Sequence, residues 1–266
     1  MGKVYGGGVK FIKRGVLMGV DIQEKSCVSE GKNIFGKLFI PNTKAKTYPT
    51  VILSHGFNSI GDDMADIALT FAGNGFLAYT FDYCGGSTRS HSDGKTTEMS
   101  IISEQNDLKA VIDMMSELDI SDSRQIYLYG ESQGGFVAAL TAAEMPERIA
   151  AMILLYPAFC IPDQWLSKDP ESMSKPFAFM GDMLLSKKFY DDVPRYDVYD
   201  RVSRYNSPVM IFHGDSDELV ALSYSERLKT TFPNAKLKDI KGAGHGFYGD
   251  DREYVKRAAV DFFTTL

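Results

Sequence analysis

Ser132 stands at the centre of the pattern Gly-Glu-Ser-Gln-Gly, which runs from residue 130 to residue 134. A serine hydroxyl is a poor nucleophile at neutral pH, so a base must take its proton and a carboxylate must hold that base in the right tautomer. The chain contains four histidines, and His245 is the one that follows the last predicted strand, in a loop flanked by glycines. Ser132 and His245 therefore predict nucleophilic cleavage of an ester or amide bond.

The carboxylate for this chemistry is expected at the end of the strand that precedes the histidine loop. The apolar run at 208–212 predicts that strand, and Asp215, Asp217 and Glu218 follow it. Any of the three could orient an imidazole, because each is a carboxylate close to the end of the strand. The spacing alone leaves the choice among them open.

The segments on either side of Ser132 predict how it is held. Apolar and aromatic residues at 126–129 indicate a buried strand, and the run at 136–143, rich in alanine and leucine, indicates a helix packed against it. In a Gly-x-Ser-x-Gly elbow the serine takes a strained backbone conformation, and the glycines let strand and helix approach closely. A tight strand-to-helix turn that merely contains a serine is the alternative interpretation of the same pattern.

Strands and helices alternate along most of the chain. Alternating apolar and polar positions at 15–28 and 34–40 predict an antiparallel hairpin at the edge of a sheet. Further strands are predicted at 50–54, 75–81, 150–156, 208–212 and 235–240, and further helices at 61–72, 104–118, 223–230 and 251–263. This order predicts an α/β fold with a mostly parallel central sheet flanked by helices, in one domain that spans residues 1–266.

The alternation stops after Pro157. Residues 158–204 mix many charges with aromatic side chains and form no regular pattern. A long irregular stretch inside a compact domain is usually either functional or disordered, and the aromatic content argues against disorder. We expect this segment to be an inserted lid subdomain over Ser132, with most of its aromatic residues in its own small core and a minority along an apolar pocket.

The composition disfavours several classes of function. A net charge of -6 argues against a nucleic-acid partner, because binding a phosphate backbone needs a concentrated basic face. Cys27, Cys84 and Cys160 are odd in number and lack metal-ligand spacing, so we expect no disulfide framework, no metal and no cofactor, and reduced thiols fit a cytoplasmic protein. We expect no secretory signal and no membrane partner, since no long apolar run is present. A homodimer stays open.

These motifs resemble the α/β-hydrolase superfamily, whose members carry serine, acid and histidine in that chain order. A His-Gly-x-x-Asp-x-x-Val run commonly carries the acid in that superfamily, and its counterpart at 213–220 selects Asp217. In that superfamily a backbone N–H in the turn after a central strand also stabilises the oxyanion. The corresponding group here is the backbone N–H of Phe57. The backbone N–H of Gln133, directly after the nucleophile, would be the other donor.

More narrowly, the chain resembles the small bacterial feruloyl and cinnamoyl esterases. The matching features are Ser-His-Gly-Phe at 54–57, Gly-x-Ser-Gln-Gly-Gly at 130–135 and the length of the insertion. Two positions depart from the pattern: Glu131 stands where many relatives have histidine, and Val-Ala at 220–221 replaces a frequent Val-Pro. Neither departure touches Ser132, Asp217 or His245.

The resemblance implies a serine carboxylesterase that acts through an acyl-enzyme on small to medium esters, with an aromatic acyl group of the cinnamoyl or feruloyl type. Asp163 and Gln164 could hydrogen-bond a phenolic hydroxyl, and Trp165 lies beside them in the predicted pocket. Three alternatives remain at this point. They are a serine exopeptidase, an acylglycerol lipase with the same three residues, and a hydrolase fold used only for binding.

Overall fold

The computed structural model of the protein describes residues 19–266, which form twelve strands and eight α-helices. In chain order the strands are β1 (Val20–Glu24), β2 (Cys27–Ser29), β3 (Lys32–Ile34), β4 (Gly36–Pro41), β5 (Tyr48–Ser54), β6 (Leu77–Phe81), β7 (Ser121–Glu131), β8 (Ala151–Leu155), β9 (Phe177–Ala178), β10 (Leu184–Leu185), β11 (Val209–Gly214) and β12 (Ala235–Ile240). The helices are α1 (Ala65–Gly73), α2 (Ile101–Ser116), α3 (Gln133–Glu144), α4 (Ile161–Leu166), α5 (Lys187–Asp191), α6 (Val198–Val202), α7 (Leu222–Thr231) and α8 (Gly249–Thr264).

Eight of these strands form one sheet, in the order β1-β4-β6-β5-β7-β8-β11-β12. The six strands from β6 to β12 in that order run parallel, whereas β4 and β1 are antiparallel to their neighbours. The interior strands β6 and β8 are buried at every residue, as expected for parallel strands covered on both faces. The edge strand β12 instead alternates partly buried and exposed residues along most of its length.

Two apolar cores lie on opposite faces of this sheet. Neighbouring residues of β5 point to opposite faces, so Ile52 belongs to one core and Val51 and Leu53 belong to the other. The first core also contains apolar residues of α2, α3 and α7, and the second contains those of α1 and α8. The mostly parallel sheet between two layers of helices confirms the predicted fold class.

The edge of the sheet differs in detail from the expected hairpin. β1 pairs with β4, while β2 and β3 form a separate two-stranded ribbon that extends from them. The ribbon turns at Glu30 and Gly31, which both have positive φ angles of 48° and 79°, as a two-residue hairpin turn requires. Residues 15–18 of the predicted hairpin lie outside the described residues.

The segment between β8 and β11 contains only short elements, in agreement with the loss of alternation there. It holds α4, a 3-10 turn at Pro170–Met173, the small ribbon β9–β10, α5 and α6. Two hydrogen bonds tie it to the residues just before the start of α2: Ser186 Oγ donates to the Thr97 carbonyl at 2.6 Å, and Ser100 Oγ donates to Asp192 Oδ2 at 2.6 Å. Trp165, Met183 and Phe189 are buried in the same core as α2 and α3. We call residues 158–204 the insertion.

Candidate active site

Ser132 lies at the sharp turn between β7 and α3. Its backbone has φ 52° and ψ -119°, in the left-handed region that residues with a side chain rarely adopt. A Cβ atom at Gly130 would come within 2.7 Å of the Gly134 carbonyl oxygen, and one at Gly134 would collide with the carbonyl oxygens of Ser54 and His55. Strand and helix therefore approach so closely that only glycine fits at positions 130 and 134. The same close approach forces the strained backbone conformation on the serine.

Three loops bring three side chains together at the carboxyl ends of the parallel strands. His245 Nε2 lies 2.9 Å from Ser132 Oγ, and His245 Nδ1 lies 2.8 Å from Asp217 Oδ2. Ser132 follows β7, Asp217 follows β11 and His245 follows β12. These distances are those of hydrogen bonds, so the serine, the imidazole and the carboxylate form one continuous chain.

Asp217 is the carboxylate in contact with the histidine. Its side chain is fully buried, and its Oδ1 accepts hydrogen bonds from the backbone amides of Leu219 and Val220, each at 2.9 Å. Burial by itself raises the pKa of Asp217, but hydrogen bonds from His213, His245 and the Val220 amide outweigh it and hold the pKa well below its usual range. The carboxylate is therefore ionised at neutral pH.

The two other candidates after β11 lie elsewhere. Asp215 is exposed and ties its loop to the start of the loop that carries His245, since its Oδ1 accepts from the Gly242 amide at 2.7 Å and its Oδ2 lies 3.2 Å from Lys241 Nζ. Glu218 is also exposed. The choice among the three carboxylates that the spacing left open is thus decided by which one faces the imidazole.

His213 is a supporting residue whose role was not predicted from the sequence. It is fully buried at the end of β11, its Nδ1 is 2.6 Å from Ser225 Oγ, and its Nε2 is 2.8 Å from the Val220 carbonyl oxygen and 3.3 Å from Asp217 Oδ2. Its position in the sequence indicates this role, because a histidine that directly follows a buried strand, four residues before the acid, is placed to hydrogen-bond to that acid.

The loop after β5 also lies close to the serine. A Cβ at Gly56 would lie 3.2 Å from Ser132 Cβ, so the adjoining Phe57 amide is close to the serine. Within residues 19–266, neither this amide nor the amide of Gln133, the first residue of α3, donates a hydrogen bond to another protein group. Two backbone donors are thus left for a ligand beside Ser132.

His55 holds this loop in place. It is buried, its Nε2 accepts from the Tyr83 amide at 3.1 Å, and its Nδ1 is 2.8 Å from the Gly56 carbonyl oxygen. Because Nε2 accepts, the proton must be on Nδ1, which donates to the carbonyl. Burial lowers the pKa of His55, which favours this neutral form.

A cavity of about 490 Å³ opens above Ser132 and His245. The aromatic side chains of its wall come from the loop after β5, from the residue that follows β8, from the insertion and from the end of the histidine loop, and they are Phe57, Tyr156, Trp165, Phe179, Phe189 and Tyr248. Phe57 and Phe179 meet edge to face with ring centroids 5.4 Å apart. The insertion therefore contributes directly to the surface that faces the serine.

The three residues proposed from the sequence to contact substrate divide between two surfaces. Gln164 and Trp165 line the cavity above Ser132. Asp163 does not: it lines a separate depression on the other side of α4, and its Oδ2 accepts a hydrogen bond from the Tyr224 hydroxyl at 2.8 Å. The expectation for Asp163 is corrected, because adjacent residues of a helix point about 100° apart and α4 turns Asp163 away.

Glu131, the residue directly before the nucleophile, also lines the cavity. Its Oε1 is buried and lies 4.0 Å from Arg252 Nη1. Burial raises the pKa of Glu131, and the positive charge of Arg252 and a hydrogen bond with Tyr156 oppose that rise. The carboxyl group therefore faces the protein interior as well as the cavity.

No group of three or more His, Cys, Asp or Glu side chains suited to holding a metal ion occurs within residues 19–266. None of the helices in this part of the chain is long and apolar enough to cross a membrane.

Comparison with known proteins identifies the family. Residues 45–190, more than half of the chain, match the family described as serine aminopeptidase, S33, and residues 179–251 match the α/β-hydrolase fold. The chain belongs to the serine aminopeptidase S33 family. It is thus a member of the α/β hydrolases, as its motifs and its sheet indicate.

Several relatives of this S33-family protein can be compared over most of their length. The structure of Est1E from Butyrivibrio proteoclasticus with ferulic acid bound superposes with a TM-score of 0.83 at 27% identity, over 91% of this chain and 98% of Est1E. An uncharacterized protein of Mycobacterium tuberculosis, MT2364, is 25% identical over 79% of this chain and 67% of its own length. The uncharacterized peptidase YtmA of Bacillus subtilis is 23% identical over 80% and 78%. The resemblance to feruloyl esterases is confirmed, and one of these relatives, YtmA, is named as a peptidase.

Proposed function

We propose that this protein is a serine carboxylic-ester hydrolase that acts through an acyl-enzyme. The observation that carries the proposal is the hydrogen-bonded chain from Ser132 through His245 to Asp217, with the serine hydroxyl facing a cavity with an aromatic wall. Such a chain lets an imidazole accept the serine proton as the hydroxyl attacks a carbonyl. Membership of a hydrolase family supports the same class of reaction.

Each group has a defined step in this reaction. His245 Nε2 takes the proton of Ser132 Oγ as that oxygen bonds to the ester carbonyl carbon, and Asp217 stabilises the resulting imidazolium. The amides of Phe57 and Gln133 donate to the oxyanion of the tetrahedral intermediate. The imidazolium then protonates the alcohol that leaves, and a water activated by the same imidazole hydrolyses the acyl-enzyme and restores Ser132.

We propose that the insertion serves as the lid and that the acyl group lies beneath it. Trp165 anchors this region, with its ring centroid 5.0 Å from Phe179 and 4.6 Å from Phe189. Such a wall favours a flat apolar acyl group over a charged one. The binding of ferulic acid by Est1E supports an aromatic acid of this kind, and Gln164 is the amide side chain in the wall that could bond a polar substituent on its ring.

A serine exopeptidase is the second candidate, because the family model and YtmA both carry peptidase names. An enzyme that removes amino-terminal residues needs an anion to bind the free amine of its substrate. Apart from Asp217, the carboxylate near the serine in the described part of the chain is that of Glu131. Its Oε1 is buried and lies 4.0 Å from Arg252 Nη1. The positive charge of Arg252 and the burial of this oxygen both disfavour binding of a substrate amine there, so the ester is favoured.

We also propose a cytoplasmic location, which the three free cysteines support.

The test is a substrate panel on the purified protein: methyl ferulate, methyl p-coumarate, p-nitrophenyl acetate, p-nitrophenyl butyrate and an aminoacyl p-nitroanilide. We expect turnover of all four esters at a higher kcat/KM than that of the aminoacyl p-nitroanilide, and turnover of the two methyl esters would show that the site accepts an aromatic acyl group. Ser132→Ala should abolish all ester turnover while leaving the circular dichroism spectrum unchanged. Preference for the aminoacyl amide would favour the exopeptidase, and retained ester turnover in Ser132→Ala would refute the nucleophile.

A further inference from the structure

Glu104 is a buried carboxylic acid for which the proposed reaction has no use. It lies in the first turn of α2 and is 2% exposed. Its Oε2 accepts a hydrogen bond of 2.8 Å from the side-chain Nε2 of Gln133, which is 4% exposed. A carboxyl group is seldom buried so completely unless it is paired or has a specific role.

The partner of Glu104 is a residue that the reaction uses through its backbone. Gln133 follows Ser132, begins α3 and supplies one of the two amides proposed to bind the oxyanion. Its side chain is fixed at the far end by Glu104, so the residue is held at both its backbone and its amide group. The neighbouring Gly134 carbonyl is held separately by Ser54 Oγ at 3.0 Å. The position of the oxyanion donor thus depends on contacts made beneath the cavity.

The surroundings of Glu104 do not favour a negative charge. Three groups interact with it: the side chain of Gln133 in α3, the carboxyl group of Asp107 in α2 itself, and the phenol of Tyr83 in the loop after β6. Asp107 is a second buried acid, and it accepts a hydrogen bond from the Cys84 amide at 2.8 Å. The positive charge of Lys32 lowers the pKa of Asp107, but Lys32 itself pairs with Glu98, which precedes α2, at 3.1 Å. Burial raises the pKa of Glu104 from 4.5 to about 8, with Asp107 adding to the rise and Gln133 opposing it.

We propose that Glu104 is a positioning residue: in its protonated form it fixes Gln133 in the oxyanion site, and its ionisation slows the reaction by placing a buried negative charge behind the oxyanion. Ionisation transfers the carboxyl proton to solvent and leaves the hydrogen bond from Gln133 in place, so only the charge changes. This inference rests on the proposed function, because it concerns the intermediate of that reaction.

The size of the effect follows from distance. A glutamine side chain spans about 5 Å from its backbone nitrogen to its amide nitrogen, so the carboxylate would lie within about 10 Å of the oxyanion. At an effective dielectric constant of about 20, two negative charges at that separation raise the barrier enough to slow the reaction on the order of tenfold. The neutral acid has no such effect.

The experiment is a profile of kcat and KM against pH, from pH 6 to pH 10, with a soluble p-nitrophenyl ester corrected for its own hydrolysis. Wild type should lose about tenfold in kcat as the pH rises through about 8. Glu104→Gln keeps a similar shape and a carbonyl acceptor without the charge, so it should match wild type at pH 6.5 and lose the alkaline decline. Glu104→Ala should lower kcat at every pH with little change in KM. Glu117→Gln, the same substitution at an exposed position just after α2, is the matched control and should keep the wild-type profile.

An alkaline decline that is identical in wild type and Glu104→Gln would overturn the proposal and leave Glu104 a purely structural residue. If the Glu104 variants do not fold, carbon NMR of the glutamate carboxyl groups in the Glu131→Gln protein decides, because burial also raises the pKa of Glu131 and the proposal requires one of the remaining groups to titrate near pH 8. If all of these carboxyl groups titrate in the ordinary acidic range, the proposal is likewise overturned. Ser132→Ala separates the two levels: turnover that survives in it refutes the proposed function, whereas a dead Ser132→Ala with unchanged Glu104 profiles refutes this inference alone.

Discussion

His213 Nε2 lies 3.3 Å from Asp217 Oδ2, and neither side chain is exposed to solvent. Asp217 is therefore held between two imidazoles, since His245 Nδ1 lies 2.8 Å from the same oxygen. A buried carboxylate fixed in this way presents a constant acceptor to His245, and it keeps the proton on Nδ1 so that Nε2 is free to accept from Ser132.

Asp217→Asn should lower kcat by about three to four orders of magnitude with little change in KM, because the amide no longer stabilises an imidazolium and can select the wrong tautomer. The measurement is steady-state hydrolysis of p-nitrophenyl butyrate. Asp215→Asn is the matched control, since Asp215 is an exposed residue of the same loop, and it should keep nearly full activity. A larger loss in Asp215→Asn than in Asp217→Asn would reverse the assignment of the acid.

Gly134→Ala should destabilise the fold by a few kcal/mol, because its new methyl group would collide with the carbonyl oxygens of Ser54 and His55, which cannot move away as a flexible side chain could. The free energy of unfolding is measured by urea denaturation. Gly73→Ala is the control: it ends α1, has nothing within 4 Å of its added Cβ and should be neutral or stabilising by up to about 1 kcal/mol. Equal effects at the two sites would contradict the close packing described at the elbow.

Phe179→Ala should reduce kcat/KM for methyl ferulate by about tenfold while changing that for p-nitrophenyl acetate little. The substitution removes the ring that lies against both Phe57 and Trp165 in the cavity wall, and an acetyl group is too small to have used it. Tyr254→Ala removes an exposed aromatic residue of α8 and serves as the control. A parallel loss for both esters would show that Phe179 supports the fold rather than acyl selection.

The stability of wild type should fall relative to that of Glu104→Gln between about pH 4.5 and about pH 8. In this window the folded protein keeps the Glu104 proton that the unfolded chain has already released, so raising the pH favours unfolding. The difference should amount to a few kcal/mol and level off above the folded pKa. Urea denaturation of both proteins at pH 5, 7 and 9 measures it, and using the difference cancels the contributions of titrating groups that do not interact with Glu104. A constant difference across this range would mean that the pKa of Glu104 is not raised in the folded state.

The parts of the site that the sequence predicted are those fixed by local constraints. The elbow at Ser132 could be predicted because steric limits on Gly130 and Gly134 act within a few residues, and His245 could be predicted from its place after the last strand. The mostly parallel sheet followed from the same alternation of apolar strands and amphipathic helices.

Other features depend on how elements pack, which one sequence does not encode locally. Asp163 and Gln164 are neighbours in α4, and only the rotation of that short helix decides which of them faces the cavity. Glu104 shares a helical face with the buried Leu108, four residues later, so its burial was readable from the pattern. The contact of Glu104 with Gln133 could not be predicted from the pattern, because this contact joins two helices whose relative position is determined by the sheet.

The insertion leaves the sheet after β8 and returns at β11, whereas Ser132, Asp217 and His245 all lie outside it. Under the proposed function, the groups that cleave the bond thus lie outside the stretch that supplies Trp165, Phe179 and Phe189 to the cavity wall. Exchange of the whole insertion between relatives is consequently a direct route to a hydrolase with a new acyl preference, provided that the graft preserves the anchors at Ser186 and Asp192 that tie it to the residues just before the start of α2.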